Sequence, residues 1–153
     1  MIQAIYIRFF NKFFPLLAPL AGDANVSPFF VLSVAALETG FGKYVSHNNF
    51  FGIKASPSHK SKFNSRTKEF DNSKKKFVTV ADSFRSYENF TESCLDFCRL
   101  IRHKYPQCIG VFDPKVCYLL QSNPNRRYAT DPDYSKKLET LYYIFLTISL
   151  EGK

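Results

Sequence analysis

Apolar positions recur at helical spacing along most of this chain and alternate with polar ones in a single short stretch. Phe10, Phe13, Leu17 and Leu20 share one face of a first amphipathic helix, which Pro15 is expected to bend. Ser27 and Pro28 mark the start of a second. The serine oxygen can accept first-turn amides, and proline has no amide that would need a partner there. From Phe30 to Leu37 almost every residue is apolar, so this helix is expected to be buried on most sides, and Gly40 can close it in the left-handed conformation. Asn89 with Glu92 three residues on reads as a capping box for a helix to about His103, with Phe90, Cys94, Phe97 and Ile101 as its buried stripe. Asp113-Pro114 starts a short helix to about Gln121. Asp131-Pro132 starts the last one, with Tyr134, Leu138, Leu141, Phe145 and Ile148 on one face. Alternation places a β-hairpin at 66–70 and 75–80 around the turn "DNS", and the polar run 43–65 reads as loop.

The pattern is that of an α+β chain, mostly α, with one domain over 1–153 and a hairpin lobe at about 54–82. No run approaches the ~20 apolar residues of a membrane span. The first 24 residues have a faint signal-peptide outline, with Arg8 and Lys12 ahead of an apolar run that ends in small residues. The charges interrupt that run, and its helical spacing favours the first helix of the domain, so no convincing signal peptide is read.

Composition sharpens this picture in three ways. A hydrophobic fraction of 45% excludes a disordered chain, and 17 Phe with no Trp leave Phe and Tyr to build the core and any binding platform. The net charge of +8 favours an anionic partner. Most of it lies between Lys54 and Lys76, where eight basic residues face Glu69 and Asp71. That lobe reads equally as a solvated, lysine-rich surface or as a binding surface. Cys94, Cys98, Cys108 and Cys117 sit among apolar residues with no CxxC pair, which favours buried free thiols over a zinc site.

One segment carries candidate chemistry. In "VAALETGFGK", residues 34–43, Glu38 ends an apolar helix and two glycines follow. The negative end of the helix dipole and the loss of solvent both raise a carboxyl pKa. A carboxylic acid still protonated near neutral pH, at the edge of a cleft, is what a general acid must be, and glycosidic cleavage needs one. Gly40 and Gly42 would leave room for a polymer. The alternative is a helix-terminal Glu bonded to a nearby backbone amide.

Five segments in this order, "ALETGFG", "NNFFGIKA", "TKEF", "FRSY" and "YATDPDY", resemble the glucosaminidase family of peptidoglycan hydrolases, glycoside hydrolase family 73, over about Phe9 to Leu146. The resemblance implies a lysozyme-like fold: a helical lobe, a small β-hairpin lobe and a groove between them. It implies hydrolysis of the β-1,4 bond between N-acetylglucosamine and N-acetylmuramic acid with Glu38 as general acid. It puts Glu69 on the hairpin as the second catalytic group and makes Tyr128 a cleft tyrosine. Asn48, Asn49, Phe50, Gly52 and Lys54 fall in the stretch that lines the sugar cleft. Phe41 and Asp131 are expected to bind substrate as well, with Asp131 capping the last helix. Phe51 is expected in the core, and Phe50 or Phe41 at the groove. Phe41 stands where the family usually has Trp, keeping an apolar face but no indole N–H.

Two of these residues have plain alternatives. Glu69 could be a charge-paired strand residue among Lys68 and Lys74–Lys76, and Tyr128 a core aromatic bonded to backbone. Inverting hydrolysis needs carboxyls roughly 6.5–9.5 Å apart and retaining hydrolysis about 5–5.5 Å, unless the substrate's acetamido oxygen is the nucleophile. No cofactor and no metal are implied. The expected partners are peptidoglycan glycan strands and other anionic wall polymer, met by a monomer at the bacterial cell wall (periplasmic or extracellular), with the export route open. A wall-binding module without turnover is the competing reading. A nucleic-acid binder rests on charge alone, with no recognition motif, and nucleic acid is not expected as a partner.

Overall fold

The computed structural model describes residues 2–152. Its helices are α1 (Ala4–Asp23), α2 (Pro28–Thr39), α3 (Phe90–Lys104), α4 (Val116–Leu119) and α5 (Tyr134–Glu151), with a 3₁₀ turn at Pro106–Cys108. Strands β1 (Lys62–Asp71) and β2 (Lys76–Arg85) form one antiparallel hairpin between α2 and α3. The fold is α+β and mostly α, as the pattern predicts.

Helix α2 is the axis of the helical lobe. Phe30 to Ala36 are all buried, and α1 and α5 pack against it. Ser27 caps it by accepting from the Phe30 amide, and the buried serine hydroxyl also meets the Tyr142 hydroxyl of α5 at 2.9 Å. Gly40 closes it at φ +56. Helix α1 runs on through both Pro15 and Pro19. Both prolines and Asn11 lie on its exposed face, so water can take the carbonyls left without an amide partner. The four cysteines are buried and free.

The hairpin is longer than alternation predicts. It begins at Lys62, inside the stretch that reads as loop, and ends at Arg85 rather than at 80. The reason is a cross-strand pair: Phe63 faces Phe84 with ring centroids 5.8 Å apart, a contact that only pairing creates. A two-stranded sheet alone is marginal, so its anchors matter. The Ala55 and Arg85 amides donate to the Ser83 and Ile53 carbonyls at the hairpin base. Arg85 pairs with Asp96 of α3 at 2.9 Å, and the Tyr87 hydroxyl donates to the same carboxylate. The Asp113-Pro114 helix is also corrected: only Val116–Leu119 is helical, flanked by turns.

Candidate active site

The end of α2 and the base of the hairpin meet over a groove of about 710 Å³. Glu38 lies in the last turn of α2. The next residue, Thr39, turns its hydroxyl back to the Ala35 carbonyl and accepts from the Gly42 amide, so the helix stops cleanly. The Glu38 side chain is exposed along the groove yet backed by densely packed protein. Loss of hydration pushes its pKa from 4.5 up to about 7. The hydrogen bond from the Tyr134 hydroxyl, 2.7 Å to Oε2, opposes the rise. The Glu69 charge adds to it, and Lys54 opposes it. The carboxyl is open to the groove on one side, which tempers the effect.

Gly52 faces the same carboxyl. A Cβ there would sit 2.3 Å from Glu38 Oε1, and its φ is +67. The left-handed backbone favours glycine, and any Cβ there would push the Glu38 carboxyl aside.

Glu69 lines the groove from β1 with both oxygens held: Lys54 Nζ lies 3.0 Å from one, and the Thr130 hydroxyl donates to the other at 2.7 Å. Thr130 in turn accepts from the Phe70 amide at 2.9 Å, tying the hairpin to the loop before α5. Lys54 also pairs with Asp82 at 3.1 Å. The ion-pair partner of Glu69 is therefore Lys54 and not one of the hairpin lysines. Tyr128 also lines the groove, its ring among Phe97, Tyr105 and Tyr134 and its hydroxyl donating to the Phe51 carbonyl. Cleft position and backbone bond, two alternatives from sequence, coexist in it. Asp131 lines the groove as well. It accepts from the Asp133 amide and pairs with Lys137, bracing the turn before α5, but it does not cap the helix: Asp133 holds the cap position without a side-chain cap bond, because α5 starts only at Tyr134.

Four expected groove residues lie elsewhere. Phe50 is buried against Phe13 and Phe90, and Phe41 packs on Tyr6 and Phe9 of α1. Neither faces the groove, because the turn after α2 carries the chain back onto α1. Asn48 and Asn49 are braces. Asn48 donates to the Tyr87 and Glu88 carbonyls; buried Asn49 donates to the Ile53 and Arg85 carbonyls and accepts from the Ile53 amide. Together they fix the loop that presents Gly52 and Lys54.

Tyr134, Thr130 and Asp82 were not legible as site residues. Tyr134 reads as one more core position, and its only signal is a hydroxyl on a face otherwise made of Leu, Phe and Ile. Among the described residues no group of three His, Cys, Asp or Glu is placed to hold a metal ion.

The glucosaminidase family model, described as mannosyl-glycoprotein endo-beta-N-acetylglucosaminidase, matches residues 15–145. The chain is 32% identical over 139 residues to the peptidoglycan hydrolase FlgJ of Vibrio parahaemolyticus, covering 85% of this chain and 44% of that protein. It is 32% identical over 137 residues to FlgJ of Salmonella typhimurium, covering 81% and 42%. The chain thus spans less than half the length of the curated relatives it matches. Among solved structures, a peptidoglycan hydrolase mutant from Sphingomonas sp. A1 superposes with TM-score 0.80 at 26% identity, over 94% of this chain and 98% of that one. The catalytic domain of the autolysin Auto from Listeria monocytogenes shares the fold, with TM-score 0.72 at 24% identity over 95% and 89%.

Proposed function

We infer, because the chain belongs to the glucosaminidase family, that it hydrolyses the β-1,4 bond between N-acetylglucosamine and N-acetylmuramic acid in peptidoglycan. The observation that carries this is Glu38: a carboxyl with its pKa pushed to about 7, lying in the groove and held by Tyr134. It still carries its proton near neutrality and delivers it to the glycosidic oxygen, without which the alkoxide leaves poorly. Glu69, fixed on both oxygens by Lys54 and Thr130, supplies negative charge that stabilises the oxocarbenium-like centre. Tyr134 orients the acid, and Tyr128 holds the Phe51–Gly52 backbone beneath it. The enzyme acts as a monomer on glycan strands of the bacterial cell wall, in the periplasm or outside the cell, and does not use nucleic acid as a partner. FlgJ relatives named as peptidoglycan hydrolases support the substrate class.

The test is mass spectrometry of purified peptidoglycan incubated with the protein and with Glu38→Gln. New reducing-end N-acetylglucosamine that vanishes in the variant is the expected result. Reducing-end N-acetylmuramic acid would move the cut to the other bond. A folded protein that binds wall and releases nothing would leave a binding module.

A further inference from the structure

We propose that Lys104 and Arg127 form a carboxylate-binding subsite on the α3 side of the groove, whose ligand is a carboxylate carried by the muramic acid residue of the glycan. The proposal rests on the reading of the groove as a peptidoglycan site. Five cations line that groove: Lys54, Lys68, Arg85, Lys104 and Arg127. Lys54 is neutralised by Glu69 and Asp82, and Arg85 by Asp96. Asp131, the acid closest in sequence to Arg127, is taken by Lys137. Lys104 and Arg127 both line the groove and make no ion pair among the described residues.

The residues beside them bring their stretches of backbone to one side of the groove. Tyr105, next to Lys104, and Tyr128, next to Arg127, are ring neighbours with centroids 5.9 Å apart. Buried Tyr105 and the Tyr128–Phe51 hydrogen bond fix that junction, from which Lys104 at the end of α3 and Arg127 at the end of the 122–127 loop extend exposed side chains. The charge of Arg126 also reaches the Tyr105 hydroxyl, so the basic character extends beyond the pair. Lys68, the other lining cation without an ion pair among the described residues, stands on the hairpin strand β1.

N-acetylglucosamine is neutral and gives such a pair nothing to bind. Muramic acid differs by its 3-O-lactyl group, which carries a carboxylate itself or the carboxylates of the peptide stem joined to it. The planar guanidinium of Arg127 can take a carboxylate through two parallel bonds, and the Lys104 ammonium adds a point charge. The subsite therefore decides which of the two alternating sugars lies beside the α3 end, and with it which bond meets Glu38.

The experiment compares cleavage of paired substrates. One pair is peptide-free glycan with its lactyl carboxylates free or blocked as methylamides. The other is peptide-bearing glycan with its stem carboxylates free or blocked. Wild-type protein should cleave a free substrate with kcat/KM about tenfold above its blocked partner, the size of one good charge-assisted contact. Preference in the first pair assigns the lactyl carboxylate, and preference in the second alone assigns the stem. The double variant K104A/R127A, shown to be folded by circular dichroism, should lose the preference, and K104R should keep it. A wild type without preference, or a double variant that retains it, overturns the subsite while leaving the hydrolase reading intact. Wild-type protein that cleaves none of the substrates overturns both.

Discussion

At the scale of single residues, the proposed chemistry reduces to where Glu38 keeps its proton. Activity that needs protonated Glu38 should fall as pH rises through about 7. Tyr134→Phe removes a bond that favours the charged form, so it should move that alkaline limb upward. Rate–pH profiles of the two proteins check this. The same shift has a thermodynamic consequence. Folded Glu38 binds its proton more tightly than unfolded Glu38 does, so the stability it contributes is complete below about 4.5 and is lost as pH rises to about 7. Glu38→Gln has no such charge to bury. Its melting temperature should therefore gain on the wild type across that window, while turnover drops by roughly 10²–10⁴-fold, the usual worth of a general acid. A variant that is inactive and also less stable at pH 8 would contradict this account. Gly52→Ala tests the neighbouring contact. Its Cβ would collide with Glu38 Oε1 and its left-handed backbone would be strained, so it should cost about 1–2 kcal/mol in urea unfolding and displace the acid. A displacement of about 1 Å is worth roughly 10²-fold in rate.

At the scale of elements, local signals in the sequence carried the helices further than the site. The Ser27 cap, Pro28 and Gly40 delimit α2 because each acts within one turn of its own position. The Asn89 side chain accepts from the Glu92 amide and starts α3 in the same way. Hairpin length was not legible, because Phe63 gains its partner only when Phe84 is folded against it. Nor were the brace roles of Asn48 and Asn49, or the burial of Phe50 and Phe41. A family motif says that a stretch lies near the cleft, and not which of its side chains face it. The braces make a prediction of their own. Asn49 satisfies the Ile53 amide and two carbonyls at the junction of helical lobe and hairpin. Asn49→Ala should cost about 1–3 kcal/mol, as the Ile53 amide loses its partner while the Ile53 carbonyl keeps the Arg85 amide. It should also loosen Lys54 and with it Glu69, so activity should fall even where the variant is fully folded. Chemical denaturation together with turnover at low temperature separates the two effects.

At the scale of the whole molecule, the longest run of like charge sits at the hairpin turn and not on α2, which carries the proposed acid. Lys74, Lys75 and Lys76 crowd the hairpin turn, and none makes an ion pair among the described residues. Asp71, opposite Lys76 in the register, is held in the turn by the Ser73 and Lys74 amides and the Ser73 hydroxyl, and its single charge offsets only one of the three. These lysines are exposed, so their field reaches into solvent and is governed by the Debye length, about 10 Å at 0.1 M salt and about 3 Å at 1 M. If the proposed function holds, such a field would draw the hairpin lobe toward an anionic wall while selecting no particular bond. Wall association should therefore weaken steeply with salt. Replacing the three lysines with glutamine should flatten that dependence, as read by sedimentation with purified walls across a salt series. If the triple variant keeps the wild-type salt slope, attraction to the wall resides elsewhere, and the unpaired cations inside the groove become its source.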